Sequence, residues 1–398
     1  MKDLKHLYYF ESLLDEANNE LVRQATGEGK LAIGYTCYHM PEVLLNLDSC
    51  FSLRLRAPRT GSMDIATYYM SNYTCEYCRA LLERSIEGGY NFLSAFAAVD
   101  ACAEMNRAVE NIEVQKLIPK EKFFVTHVDV PYKVLDFTIK HYVKQLRIKV
   151  LDKLSEVYGV DTSDEALREA VKQHNEICRL ITEIGEYRKD ENPRITGYEY
   201  HILNLITYCC PKYLILDKLR ETCEELRTRK PDEKKKFRAR VVLVGSEVDD
   251  PDFTKLIEES GALIVADRFC FGAFPGRQEL VLNDSEDVLT GICRQYLESS
   301  QCPRYMSSEK VQERRDFVAK LAEDYHADGV IFEQIKFCDF WGFERALASN
   351  VIHDEYGLPV LSVDRPYMSR SSGQLRTRMQ AFVESLEIKR IHKEREAK

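Results

Sequence analysis

No uninterrupted apolar run in the 398 residues reaches the roughly 18 that a bilayer-spanning helix requires, so no transmembrane segment is predicted. Positive charge is not in excess either. The 56 Lys and Arg face 65 Asp and Glu, a formal charge of −9, which excludes an overall basic nucleic-acid binder. The one dense charge run, KPDEKKKFRAR over 230–240, has few aromatics beside it and reads as a solvated linker. HExxH, GxSxG and GxGxxG are missing, which removes support for zinc-protease, serine-hydrolase and dinucleotide readings. Gly27–Lys30 reads GEGK without Walker A spacing or a following Ser/Thr, so ATP is expected to be used elsewhere than on this chain. No low-complexity segment is present. The opening MKDLKHLYYFESLLDEANNEL carries acidic residues inside its apolar stretch, as an amphipathic helix does and a secretory signal does not. A cytoplasmic chain is expected.

Hydrophobic residues make up 44% and charged residues 30%, a balance that supports a large buried core and argues against disorder. Strand-like runs rich in β-branched and aromatic residues occur at 30–36, 51–57, 91–99 and 121–127, with helical patterns such as 78–87 and 103–113 between them. Alternation of this kind predicts a parallel sheet covered on both faces. From Tyr132 to about Arg229 the apolar spacing is helical, with an N-cap signal at DTSDE and a break near Pro211. Strand-like runs return at 239–245, 262–267, 329–337 and 359–363. The expected architecture is α/β: two doubly wound parallel-sheet domains of similar layout, 1–130 and 237–398, joined by a helical block, 131–236.

Thirteen cysteines are the anomaly. An odd number without a signal peptide argues for free thiols in a reducing compartment. They are buried thiols, catalytic thiols or metal ligands, and position discriminates. Cys37, Cys102, Cys270 and Cys338 each follow a predicted strand, where ligands of open α/β sheets bind. Cys75 opens a helix in TCEYCRALLE, where the dipole favours a thiolate, and Cys302 lies in a turn at QCPRYM. Cys50, Cys178, Cys209, Cys210, Cys223 and Cys293 fall at a strand start or in helical patterns and read as inert core thiols. Cys78 completes a CxxC with Cys75 but falls inside the helix, so core is its default too. Structural zinc favours paired CxxC knuckles, and only one exists; thiolates scattered from Cys37 to Cys338 suit an iron–sulfur cluster better, with ordinary core thiols as the alternative.

At these residues the chain resembles the 2-hydroxyacyl-CoA dehydratase/benzoyl-CoA reductase superfamily, in particular the dehydratase D-component. The likeness covers most of the chain. It is carried by GYTCYHMPE (34–42), YTCEYCRALLE (73–83), DACAEMNRAVE (100–110), LIEESGALIVADRFCFG (256–272), QCPRYM (301–306), GVIFEQIKFCDFW (329–341) and GLPVLSVDRPYMSRSSGQLRTRMQAFVE (357–384). The resemblance implies a [4Fe–4S] cluster between the domains, held by Cys75, Cys102 and Cys338. Three thiolates leave one iron open to substrate oxygen or water. It also implies a lyase. A low-potential electron from a separate ATP-dependent iron–sulfur activator turns the thioester carbonyl of a 2-hydroxyacyl-CoA into a ketyl radical anion. That anion expels the neighbouring hydroxyl, the β-proton becomes acidic, and the electron returns. A homologous second subunit, or a second copy, is the implied partner, and this chain could be the non-catalytic member of such a pair. A second branch of the superfamily reduces small molecules with a double-cubane [8Fe–9S] cluster on six cysteines, for which this chain offers Cys37, Cys270 and Cys302 as well. The chain departs from that branch at DACAEMNR, where the branch carries Thr-Thr-Cys-Asp-Gly-Lys-Lys.

Other residues carry two readings each. Glu42 is a helix-start carboxylate or a base near the cleft. Arg376 and Arg378, after Ser371, Ser372 and Gly373, form a salt-bridged helix start or a CoA-phosphate site. His39 is read as a local hydrogen-bonding residue. Phe340, Trp341 and Phe343 are read as core that would keep a cluster dry.

Overall fold

A computed structural model describes residues 1–58, 60–273, 277–283, 285–368 and 372–396. Its first sheet comprises β1 (Leu31–Tyr35), β2 (Cys50–Arg54), β3 (Ala95–Asp100) and β4 (Phe124–Asp129), in the order β2-β1-β3-β4. The second comprises β5 (Ala239–Gly245), β6 (Ala262–Phe269), β7 (Gly329–Ile335) and β8 (Val360–Arg365), in the order β6-β5-β7-β8. Every pairing is parallel. The two sheets therefore share one topology, and the predicted α/β layout stands.

The sequence makes these strands central. ARVVLVG and GVIFEQI are buried at every position, as parallel strands covered on both faces must be. Parallel neighbours cannot be joined by a tight turn, so helices return the chain between them. In each sheet the winding reverses between the first and third strand, β1/β3 and β5/β7, which opens a crevice at the carboxyl ends. The two carboxyl edges face each other. Arg54 at the end of β2 donates to the Cys270 carbonyl at 2.5 Å, Arg56 to the Asp249 carbonyl at 2.6 Å, and the Glu76 amide to the Lys336 carbonyl at 3.3 Å.

The helical block begins with Asp136–Leu146, which runs through a π-helical turn at Arg147–Leu151 into Asp152–Tyr158. It stops at Gly159, whose φ of 71° suits a residue without Cβ. Asp164–Glu186 follows, its N-terminus capped by Ser163. Gly197–Cys209 opens on a Thr196/Glu199 capping box and is buried at 12 of its 13 residues. A helix apolar on all sides belongs inside, and this one packs against both β2 and β6, wedged between the sheets. The core is consequently continuous across the halves, joining Leu53 and Phe96 to Ile264 and Ile331 through Ile202 and Leu205.

One element departs from the predicted division. Helix Val288–Glu298 lies in the range assigned to the C-terminal domain, yet its Leu289, Ile292, Cys293 and Tyr296 pack with Ile33, Tyr35 and Tyr142 under the first sheet. Its apolar stripe complements the Asp136–Leu146 and Asp164–Glu186 helices better than anything around the second sheet. Among the described residues no helix is long and apolar enough to cross a membrane.

Candidate functional site

All thirteen cysteines are free thiols, and exposure separates the candidates from the core thiols except at Cys75, which is buried. Five are half-buried: Cys37, Cys102, Cys270, Cys302 and Cys338. Each of these follows a predicted strand or lies in a predicted turn, and the core-assigned cysteines are all buried.

The first group gathers from both halves. Cys75, Cys102 and Cys338 are the N-cap residues of Glu76–Ile86, Ala103–Val114 and Asp339–Tyr356. Three helix N-termini thus point at one place, each with a partial positive charge of about half a unit. Cys338 and then Cys78 neighbour Cys75, and their thiols hold its pKa well below the usual range despite burial. Cys78 neighbours both Cys102 and Cys75, and these two thiols, with burial, push its pKa well up. Cys78 is therefore at the site, not merely in the core; the CxxC spacing is its signal. Carboxyls line the group's outer side. The Cys102 thiol donates to Glu104 Oε2 at 2.9 Å, and Asp339 lies beside Glu104. Burial, then Asp339, pushes the Glu104 carboxyl up. The turn that presents Cys338 is strained: Phe337 adopts φ 65°, unusual for a bulky residue, and its ring meets Tyr73 edge-on at 5.7 Å.

The second group is Cys37, Cys270 and Cys302. Cys302 bears electrostatically on both Cys37 and Cys270. The helix Val288–Glu298 brings it there: Tyr38 stacks on Tyr296 at 5.0 Å and donates to its carbonyl at 3.0 Å, while His39 meets Ser300 at 3.1 Å. Burial pushes the Cys37 thiol up to about 12 and raises those of Cys270 and Cys302. Trp341 donates its indole N–H to Cys270 Sγ at 3.3 Å. Buried arginines surround the group. Arg54 donates to the carbonyls of Thr36, at 3.0 Å, and Cys270, with its guanidinium 4.0 Å from the Phe271 ring. Arg268 lies 5.3 Å from the Trp341 ring, and Arg304 donates to the Val130 carbonyl at 3.1 Å. Glu247, after β5, sits near Arg54, Cys75 and Cys270, and burial pushes its carboxyl up to about 8. Sequence reasoning misses these arginines and Glu247. The signal lies in RFC (268–270) and CPR (302–304), where an arginine stands two residues from a strand-end or turn cysteine.

The remaining expected residues fall elsewhere. Glu42 is sealed in an ion-pair knot with Tyr35 at 2.7 Å, Lys212 at 3.1 Å and Arg277 at 2.7 Å. Burial raises its pKa, but Lys212 and Arg277 outweigh that and hold the carboxyl well below its usual range, which makes it a poor base. His39 is a local partner of Cys37, 3.5 Å away. Arg376 pairs with Glu259 at 2.8 Å and Arg378 donates to the Ser362 carbonyl at 2.6 Å, so both tie the last helix, Ser372–Glu396, to its neighbours. Ser371 lies outside the described residues. Trp341 is buried as expected, but Phe343 is 61% exposed, because the Asp339–Tyr356 helix turns that position outward.

No three of the described His, Cys, Asp and Glu side chains converge on a single-ion site. A cubane is a larger object, whose cysteines stand at separate corners. The donor set fits one: soft thiols from distant segments, helix N-termini favouring thiolate, and little water. Around the second group, buried Arg268 Nε and Nη1, Arg304 Nε and the Tyr305 hydroxyl have no hydrogen-bond partner among the described residues, as though made for an anion.

Residues 37–386 match the family model described as 2-hydroxyglutaryl-CoA dehydratase, D-component. Among curated proteins, the chain is 23% identical to the (R)-phenyllactyl-CoA dehydratase beta subunit of Clostridium sporogenes, covering 95% of this chain and 97% of that one. It is 21% identical to the (R)-2-hydroxyglutaryl-CoA dehydratase beta subunit of Acidaminococcus fermentans, covering 90% and 93%. It is also 21% identical to a subunit of the benzoyl-CoA reductase of Thauera aromatica, covering 95% and 97%.

Proposed function

The chain belongs to the 2-hydroxyglutaryl-CoA dehydratase D-component family, and from that premise we propose that it is the iron–sulfur component of a 2-hydroxyacyl-CoA dehydratase. Such a lyase removes water from a 2-hydroxyacyl thioester after one-electron activation by a separate ATP-dependent iron–sulfur protein. The observation that carries the reading is the meeting of Cys75, Cys78, Cys102 and Cys338 from both sheets at one crevice. The relatives are named as subunits, which supports a homologous partner subunit or a second copy.

Cys75, Cys102 and Cys338 would hold a [4Fe–4S] cluster, with Cys78 beside them. When bound, it supplies one-electron chemistry and an iron open to substrate oxygen. The chain's own residues prepare the place. The helix N-termini stabilise thiolate charge, the buried Trp341 packs one turn after Cys338, and Phe337 and Tyr73 meet edge-on beside Cys338 and Cys75.

A second reading, a double-cubane [8Fe–9S] reductase of small molecules, is favoured by one observation: Cys37, Cys270 and Cys302 also gather, ringed by buried arginines. Anaerobic purification with iron and sulfide analysis tests both. About four irons per chain, lost in Cys338→Ser, together with dehydration of a 2-hydroxyacyl-CoA given activator, ATP and reductant, supports the first; about eight irons supports the second. An iron-free protein after strictly anaerobic preparation sinks both.

A further inference from the structure

Arg268 and Arg304 are 1% and 2% exposed. Arg268 donates from Nη2 to the Gln301 carbonyl, and Arg304 from its two Nη atoms to the Val130 and Pro131 carbonyls. Their remaining N–H groups, Nε and Nη1 of Arg268 and Nε of Arg304, find no acceptor among the described residues. Leaving a buried guanidinium without its counter-charge is strongly unfavourable. Carboxylates nearby supply it only in part. Glu344 is engaged bidentately by Arg314, at 2.9 Å to each oxygen, and Glu247 faces Arg54 at 3.6 Å. Positive charge is thus built in at the second group, beside ligand-type sulfurs: Arg268 shares Glu344 with Arg314, and its Nε and Nη1 have no hydrogen-bond partner among the described residues. At the first group the buried Arg79 is paired with Glu76 at 3.6 Å, and the carboxyls Glu104 and Asp339 stand beside Cys102.

We infer that Arg268 and Arg304 are charge-compensating residues that retain an anionic iron–sulfur unit on Cys37, Cys270 and Cys302 and set its reduction potential above that of the unit on Cys75, Cys102 and Cys338. The inference rests on the second reading above, in that it requires the second thiol group to be filled. The physics is Coulombic. An added electron is stabilised beside fixed, desolvated guanidinium charges and destabilised beside carboxyls, and surrounding charge and hydrogen bonds are the levers a protein has on such a potential.

The test uses the full chain, reconstituted anaerobically with ferrous iron and sulfide and titrated with a low-potential reductant under EPR observation. The wild type is expected to show two centres, the higher-potential one absent in Cys37→Ser. Arg268→Gln should shift that centre downward by at least tenfold in electron partition, about 59 mV for a one-electron couple, or lose its iron, and leave the other centre in place. Arg268→Lys should move it less, because the charge is kept. Arg304→Gln gives an independent reading if Arg268→Gln does not fold. Two filled centres whose potentials stay put, or shift together, in both glutamine variants would overturn the inference alone. A wild type with about four irons, all lost in Cys75→Ser, would overturn the filling of the second group and the inference with it.

Discussion

Two thiol groups share one crevice and are built in opposite ways. Cys75, Cys102 and Cys338 terminate helices and face carboxyls on the solvent side, with Phe337 held in a strained turn beside them. Cys37, Cys270 and Cys302 sit on loops, and their charges come from arginines with no route to water. Helix N-termini supply partial charges that are cheap to bury, because the backbone carries them anyway; guanidinium groups supply whole charges that are expensive to bury unless something anionic is there. The first arrangement suits a centre that meets substrate at a half-open mouth. The second suits an occupant whose negative charge answers the guanidinium groups.

The sharpest way to break this contrast is to strip one group at a time. Cys75→Ser is expected to abolish dehydratase activity and remove the iron of its own group, while Cys37→Ser leaves about four irons and Cys223→Ala, a core thiol, changes no iron at all. Iron analysis reads all three, and a Cys37→Ser protein with no iron left would show the two groups to be one.

The Glu42 ion-pair knot, apart from both groups, comes next. Glu42→Gln leaves Lys212 and Arg277 buried without their carboxylate and should cost about 3–5 kcal/mol in urea denaturation at neutral pH. The folded pKa of Glu42 is depressed, so its stabilisation is complete above the ordinary value of 4.5 and is lost as pH falls through the folded value. The gap between variant and wild type should therefore close only in acid, and a gap that instead opens in acid would contradict the assignment.

Strain at the first group predicts the smallest effect. Phe337→Val, β-branched at φ 65°, should lose about 1–2 kcal/mol, whereas Phe337→Gly should stay within about 1 kcal/mol of wild type. Equal losses in thermal denaturation would mean that the ring, and not the backbone, matters there.

Much of this architecture is legible in the amino-acid sequence. Each of the eight strands overlaps its predicted run, because parallel strands, buried on both faces except at the edges β4 and β8, write themselves as β-branched segments between helical patterns. The half-buried cysteines can be found because a strand's carboxyl end is a place that sequence can point to. What escapes depends on distant contact. Arg268 and Arg304 read as ordinary charges until the fold encloses them, and Glu42 looks available until Lys212 and Arg277 arrive from elsewhere in the chain. Phe343 reads as core by its composition, but the helix phase sends it outward. The packing of the Val288–Glu298 helix under the first sheet is not legible either, because amphipathicity says that a face is buried, not against what.

That helix gives the molecule a clasp. A chain of two similar halves could hinge apart like a book, exposing whatever lies along its spine to oxygen and solvent. Here a strap from the second half is stitched through the first, with Leu289, Ile292, Cys293, Tyr296 and Leu297 all buried. Pulling it free would forfeit roughly 1.5–3 kcal/mol for each large side chain. Wide gaping is thereby forbidden, and traffic to the sulfurs is left to small movements at the rim.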